Sequence, residues 1–464
     1  MGPTDGLAAT ETVGDGQVMW LRDLSPACCA CVAILSCAPA DETPELELQD
    51  ALVSDHLDLL RRDPAQVAAK WEAMEADPFQ FLRGSAGLWA RDASLPGGRA
   101  NLPTILDAPV FARVLLVGDP HPENFGTFLP LDGALTFDLN DFDAAREGPA
   151  HLDVRRLALG FAVALAPIDE ELARHTAAAV ARGWHAGLDG AARVTPGTVP
   201  GHFIGQLFDK AARKGEERDE LLALTRLGQD GRRELNRLEA PPGSAAAEYS
   251  LDVERALRQP LQEVLGAWAR ARGAAELVDL VRVFGAGIGT RANLRFYALL
   301  ADGQVLELKE ARDPFLVHGL TLPQPRRFTD NGARIVEAEQ TLQAADDADP
   351  MLGHLRLGAM SFVVHRESGW QRTLRTRTFR EDLGAQAATA EDVIALARRC
   401  GEVLGAAHAR GSPALAEEQR LLDPDLLVEE TVEFLDAYLS TAVEDRARLA
   451  ALRERHGPLL GWTP

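Results

Sequence analysis

The sequence predicts an α+β chain of two lobes, mostly helical, with a small antiparallel sheet in one lobe. Three observations carry this. Residues 151–275 repeat apolar side chains at helical spacing, with breaks near Pro196, Pro200 and Pro241-Pro242-Gly243. From Val281 the period changes, and Arg295 to Leu300 and Val305 to Lys309 flank the turn Ala301-Asp302-Gly303 as a hairpin. Thr389-Ala390-Glu391-Asp392 then opens a helix as a capping box, which buries Val393, Leu396, Cys400, Val403 and Ala407 and ends at Gly411.

The remaining elements follow in chain order. Residues 39–50, rich in Pro, Asp and Glu, read as a tether, and Leu46 to Met74 carries helical spacing. Phe79 to Gly84 breaks that run, and a loop follows near Pro96-Gly97-Gly98. A short strand, Val114 to Val117, feeds Gly118-Asp119-Pro120-His121-Pro122-Glu123-Asn124. The turn Leu131-Asp132-Gly133 leads to a strand from Ala134 to Phe142. A helix from Gly332 to Ala345 and a strand from Met360 to His365 complete the second lobe.

Charge narrows the function. The 464 residues carry 48 basic and 70 acidic side chains, a formal net charge of −22. Such a surface repels nucleic-acid phosphates and anionic lipid, so neither is an expected partner. A nucleotide is tolerated in that field only with cations between, which points to a divalent metal.

Four of the five cysteines, Cys28, Cys29, Cys31 and Cys37, crowd one N-terminal stretch without the paired spacing of a zinc site. The apolar run from Leu24 to Ala38 resembles the cleavage box of a bacterial lipoprotein signal, in which Cys37 would take a lipid anchor. The cationic flank of that run is weak, Arg22 being offset by Asp23, so an unlipidated cytoplasmic leader is the competing reading. The run is too short to span a bilayer, and no other transmembrane candidate stands out.

The residues that carry chemistry fall in two distant segments. Asp119 and Asn124 share one loop, and Asp141 follows at a strand end. Moving a phosphoryl group needs positioning and charge neutralisation: one carboxylate takes the attacking hydroxyl's proton, while an amide oxygen and a second carboxylate hold Mg²⁺. Asp119 fits the first task, Asn124 and Asp141 the second. Strand alternation places Asp143 beside Asp141 and Asp138 on the other face. Taken singly, each is more often a turn residue.

The second segment is Gly285-x-Gly287-x-Gly289 ahead of the hairpin that ends at Lys309. Glycines let backbone fold over phosphates, and a strand-borne lysine reaches them. Glu337 and Glu339, on the next helix, compete to pair with Lys309. The apolar face formed by Ile335, Ala338 and Leu342 lies next to Glu339 and leaves Glu337 lateral.

Gly118-Asp119-x-His121-Pro122-x-Asn124, Asn140-Asp141-Phe142-Asp143 and Gly148-Pro149-x-x-x-Asp153 are similar to the catalytic half of aminoglycoside phosphotransferases and choline-kinase-like enzymes. From roughly residue 50 to residue 440 the chain resembles the bacterial family called domain of unknown function 2252, on Phe79 to Gly84, Gly118 to Gly126, Lys309-Glu310-Ala311, Arg334 to Glu337 and Ala407-His408-Ala409-Arg410. The resemblance implies a protein-kinase-like fold with Asp119 as base, Asn124 and Asp141 as metal ligands, Lys309 as phosphate anchor, and Glu337 as its partner. Val117 stands where such kinases carry His. Their order is also reversed, the catalytic loop preceding the glycine loop, which implies a circular permutation with the end of the Asp392 to Arg410 helix near Val117.

The expected organisation is therefore 1–45 as leader and tether, 46–275 as catalytic and metal-binding half, 276–370 as nucleotide lobe, and 371–464 as a helical C-terminal region. The expected activity is Mg²⁺- and ATP-dependent phosphoryl transfer to a small molecule or protein. The acceptor pocket is expected from helices within 151–275 and the C-terminal segment. The alternative is a pseudokinase-type module that binds nucleotide or ligand without transfer.

Overall fold

The computed structural model describes residues 44–463 except 191–192, 199–200, 218–222, 239–247, 314–327, 329 and 346–348. The leader and Cys37 with its expected lipid anchor lie outside the described residues. Helices open the chain: α1 (Pro44–Asp55), α2 (Leu57–Arg62), α3 (Pro64–Met74), α4 (Pro78–Gly84) and α5 (Ala86–Ser94). Asp63 and Asp77 cap α3 and α4 through side-chain bonds to Gln66 N and Gln80 N, each with Pro at the first turn. Those caps explain why Phe79 to Gly84, expected to break the helical run, is itself a helix.

The segment bearing Asp119, Asn124 and Asp141 follows as β1 (Val114–Leu116), β2 (Phe125–Phe128), β3 (Thr136–Leu139) and β4 (Arg146–Gly148), then α6 (Ala150–Leu165), α7 (Glu170–Gly187) and α8 (His202–Glu217). A hairpin, β5 (Thr225–Leu227) and β6 (Arg233–Leu235), leads to β7 (Tyr249–Asp252), α9 (Arg255–Ala271), β8 (Leu277–Phe284), β9 (Arg295–Leu300) and β10 (Val305–Glu310). Then come α10 (Asn331–Leu342), β11 (Gly353–Leu357), β12 (Met360–Arg366) and β13 (Arg372–Thr373). The chain closes with α11 (Thr376–Gly384), α12 (Ala390–Gly411), α13 (Ala414–Glu418) and α14 (Pro424–His456).

Six strands form one antiparallel sheet in the order β11-β12-β10-β9-β8-β7. Alternation along β10 turns Leu306 and Leu308 into a core with Leu265 and Trp268 of α9, and Glu307 and Lys309 to the opposite face. Residues 249–271, expected in the catalytic half, therefore pack as part of the sheet lobe. The short β13 crosses back to pair with β2, so the segment after residue 370 contributes a strand to the three-stranded sheet β13-β2-β3.

The larger core joins α6, α7 and α12 to strands β1–β3. Helix α6 is buried almost end to end. Helices α7 and α12 approach through glycine: a Cβ on Gly405 would lie 2.1 Å from Trp184 O, and one on Gly183 2.0 Å from Arg398 O. Only hydrogen permits that spacing.

Candidate functional site

The loop after β1 begins at Gly118, whose φ of +91° and distance from Ala144 O, 2.0 Å for a built Cβ, both require glycine. Asp153, fully buried on α6, accepts from Val117 N at 2.7 Å and Gly118 N at 3.0 Å. His408 of α12 donates Nε2–H to the same carboxylate at 3.0 Å and accepts Trp184 Nε1–H on Nδ1 at 3.0 Å, which assigns its tautomer. Leu115 N donates to Ser412 Oγ at 3.2 Å, so the end of α12 lies beside β1. Asp153 and His408 are thus structural supports of the loop.

Asp119 emerges from this anchored turn into a cavity. Arg156, one turn beyond Asp153 on α6, donates Nε to Asp119 Oδ1 at 2.7 Å. Burial nevertheless pushes the Asp119 carboxyl up to about 6, against the lowering effect of Arg156. Asn124 Nδ2 donates to the backbone oxygen of Asp119 at 2.8 Å, closing the loop on itself. Glu123, at the cavity wall, braces the loop, accepting from Arg83 Nη1 at 2.8 Å and from Thr376 N and Oγ1 at 3.0 Å each. His121 is buried edge-on against Phe79 and also borders the cavity.

Strand β3 stops at Leu139, so pleat alternation does not reach Asp141 and Asp143. An Asx turn brings the two together instead: Asp143 N donates to Asp141 Oδ1 at 3.2 Å. Both face Lys309, whose Nζ lies 3.7 Å from Asp141 Oδ1 and pairs directly with Asp143 Oδ2. Burial alone would lower the Lys309 pKa, but the two aspartates hold it above its ordinary value. Burial and the neighbouring Asp141 raise that of Asp143. Asp138 points elsewhere, accepting Ala344 N at 2.7 Å. Arg334 of α10 holds the turn by donating Nη2 to Asp143 O at 2.9 Å and Arg312 O at 3.0 Å.

The glycine run spans the end of β8. Gly285 (φ +81°) and Gly287 (φ +63°) turn the chain, and Gly287 and Gly289 line the cavity while Gly285 lies behind them. Arg295 ties the loop to the sheet, pairing with Glu307 and donating Nη2 to Thr290 Oγ1 at 3.3 Å. Of the two glutamates on α10, Glu337 is exposed and Glu339 is buried toward the cavity. The expected pairing of Glu337 with Lys309 is thus corrected: the apolar face of Ile335, Ala338 and Leu342 turns Glu337 outward. Glu339 meets His365 Nε2 at 3.8 Å, and burial raises its carboxyl to about 7. His365 is raised in turn because Glu339 and Asp349 outweigh its burial.

The cavity measures about 870 Å³ and is lined by segments 54–59, 70, 83–87, 119–144, 287–313 and 330–375. Among the described residues, none from 151–275 or from beyond Arg375 lines it. The N-terminal helices α1–α5 line the cavity instead of helices from 151–275, and Gln371, Thr373 and Arg375 of the C-terminal region join them. Sequence reasoning missed Lys70 and Arg156 as site residues, and Glu339 was one of the two candidates on its helix. Lys70 sits in an ordinary helical stretch, where lysine is usually a solvated surface residue; only the run Asp153-x-x-Arg156, one helical turn, hinted that Arg156 joins Asp153 beneath the loop. Among the described residues no group of three or more His, Cys, Asp or Glu side chains is arranged to hold a metal, and no helix is long and apolar enough to cross a membrane.

Fold and site together define a mixed α+β protein whose antiparallel sheet and helical body line a cavity bearing lysine opposite paired aspartates. The chain belongs to the bacterial family of uncharacterised conserved proteins DUF2252, whose model matches residues 62–451. No curated protein and no solved structure matches it.

Proposed function

We propose that this protein is a Mg²⁺- and ATP-dependent phosphotransferase of circularly permuted, kinase-like build, acting on a small molecule or protein acceptor. The observation that carries the reading is Lys309 on β10 facing Asp141 and Asp143 across the cavity that also receives Asp119. The contact of Leu115 N with Ser412 Oγ supports the permutation, since it puts the end of α12 where a kinase chain would continue into the catalytic loop.

The donor set suits the group it would hold. Two carboxylates and the Asn124 amide are hard oxygen ligands, and Mg²⁺ keeps several waters, so it needs no three-residue protein cage. Bound there, the cation would offset the charge of the donor's phosphates. Asp141, Asp143 and Asn124 would hold it, and Lys309 would anchor phosphate oxygens once its aspartates engage the metal. Asp119 keeps Oδ1 on Arg156 and presents Oδ2 to the acceptor hydroxyl, taking its proton. Gly287 and Gly289 offer backbone over the phosphates.

The test is thermal shift of the full chain with Mg²⁺-ATP, followed by phosphorus NMR of products with candidate acceptors. Replacing Asp119 by Ala is expected to leave the nucleotide-induced stabilisation and lower turnover about 10²–10⁴-fold. A wild-type melting curve that Mg²⁺-ATP leaves unmoved sinks the proposal. Stabilisation by nucleotide with turnover unaffected by Asp119→Ala removes Asp119 as base.

A further inference from the structure

Two lysines line the cavity, and only one of them is neutralised there. Of the 48 basic residues in the chain four are lysines: Lys70, Lys210, Lys214 and Lys309. Lys210 and Lys214 stand on α8, away from the cavity, whereas Lys70 and Lys309 both face it. In a chain whose usual cation is arginine, both cavity cations from the lysine minority are compact ammonium groups rather than planar forks.

Lys309 is balanced by Asp141 and Asp143. Lys70, 5 % exposed on α3, donates to Gly289 O at 2.9 Å and makes no ion pair among the described residues. The acids whose charge it feels are occupied elsewhere: Asp55 holds Arg91 at 2.6 Å and Asp119 holds Arg156 at 2.7 Å. A desolvated ammonium without a counter-ion is costly, and burial accordingly drives its pKa down to about 8. At neutral pH it stays largely protonated, with donors to spare beyond the one given to Gly289.

The surroundings hold that ammonium in place. Arg62, on the neighbouring helix α2, makes a bidentate pair with Glu310 at 2.7 Å for each bond and donates to Ala292 O at 2.9 Å. The helical segment that carries Lys70 is therefore fastened both to the strand bearing Lys309 and to the chain just past the glycine loop.

We infer that Lys70 is an anion-binding residue of the cavity, receiving an oxygen of a phosphoryl group held between the glycine loop and Asp119. The inference deepens the phosphotransferase reading and rests on it only for the identity of the phosphoryl donor as a nucleotide.

The test is competitive acetylation of the unmodified full chain with acetic anhydride, read by peptide mapping at Lys70 and Lys309, alone and with inorganic tripolyphosphate or Mg²⁺-AMP-PNP. Calorimetric titration of tripolyphosphate into wild type, Lys70→Met and Lys70→Arg accompanies it. Both anions are expected to slow acetylation of Lys70, and Lys70→Met to bind tripolyphosphate about 10- to 100-fold more weakly, with partial recovery in Lys70→Arg. Protection of Lys309 but not Lys70, or wild-type affinity in Lys70→Met, overturns the inference and leaves the phosphotransferase reading standing. Protection of Lys70 by tripolyphosphate but of neither lysine by Mg²⁺-AMP-PNP supports the inference and removes nucleotide as donor. No protection of Lys70 by either anion overturns it.

Discussion

Arg156 and Asp119 form a half-hidden ion pair in which Nε meets Oδ1 at 2.7 Å while the same guanidinium donates Nη2 to Leu82 O at 2.6 Å. The arginine is 2 % exposed and cannot follow the carboxylate into the cavity. It therefore fixes the direction of Asp119 and restrains a pKa that burial has moved to about 6. A general base must be ionised to work, so kcat/KM is expected to fall below about pH 6 with unit slope. Arg156→Met removes a group that lowers the Asp119 pKa, and the acidic limb should move to higher pH. A pH profile of the two proteins checks the sign; an unmoved limb would mean that Asp119 is not the group being titrated.

Asp153 collects two backbone N–H groups and the His408 ring at a site with no solvent. Asp153→Ala leaves all three donors buried and unsatisfied. The expected cost is about 3–5 kcal/mol of unfolding free energy, measured by urea denaturation. His408→Ala, which strips one donor from the carboxylate and one acceptor from Trp184, should cost less. Equal losses would show that the histidine, not the aspartate, holds the loop.

Much of this arrangement was legible in the residues. Asp119, Asn124, Asp141 and Lys309 come to one cavity from segments far apart in the chain, because each sits at the end of a short element whose boundary is written in glycine or turn residues. The Thr389–Asp392 capping box and the buried face of α12 also follow the pattern. What stayed hidden depends on packing between elements. Periodicity gives the face on which Glu339 lies but says nothing of the sheet opposite it. Lys70 reads as a surface residue until α3 is laid against the glycine loop. That the N-terminal helices line the cavity was also hidden, because a contact between residues as remote as Arg62 and Glu310 leaves no trace in local spacing.

Glu339 offers a sign-specific stability prediction. Its carboxyl is raised by burial, with Asp349, Asp141 and Asp143 adding to the effect and His365 opposing it. A group raised in the folded state favours folding when protonated, so that contribution is complete below the unfolded value of 4.5 and is lost as pH climbs through about 7. His365, also raised, loses its contribution in the same direction. Glu339→Gln should therefore flatten the decline in stability between pH 5 and pH 8, by about 1.4 kcal/mol for every tenfold difference in acidity between the folded and unfolded carboxyl. Glu337→Gln, on the exposed side of the same helix, should stay within about 0.5 kcal/mol of wild type at both pH values. Denaturation midpoints of the three proteins decide it; parallel pH curves for wild type and Glu339→Gln would refute the assignment.

The contact of α7 with α12 makes the fold sensitive to a single methyl. A Cβ on Gly405 would meet Trp184 O at 2.1 Å, and the obstructing atom is backbone rather than the flexible end of a side chain. Gly405→Ala must therefore separate the helices, which also stretches the bond from Trp184 Nε1 to His408 and, through His408, the support of Asp153. Overpacking of this kind costs about 1–3 kcal/mol, offset in part by the better helix propensity of alanine. Gly384→Ala, at the end of α11 with open space around it, should cost none of this clash energy. If the damage reaches the Gly118–Asn124 loop, the proposed phosphotransferase reading expects Gly405→Ala also to lower Mg²⁺-ATP turnover beyond its loss of stability at temperatures well below melting. Turnover that tracks the folded fraction alone would confine the effect to the helix pair.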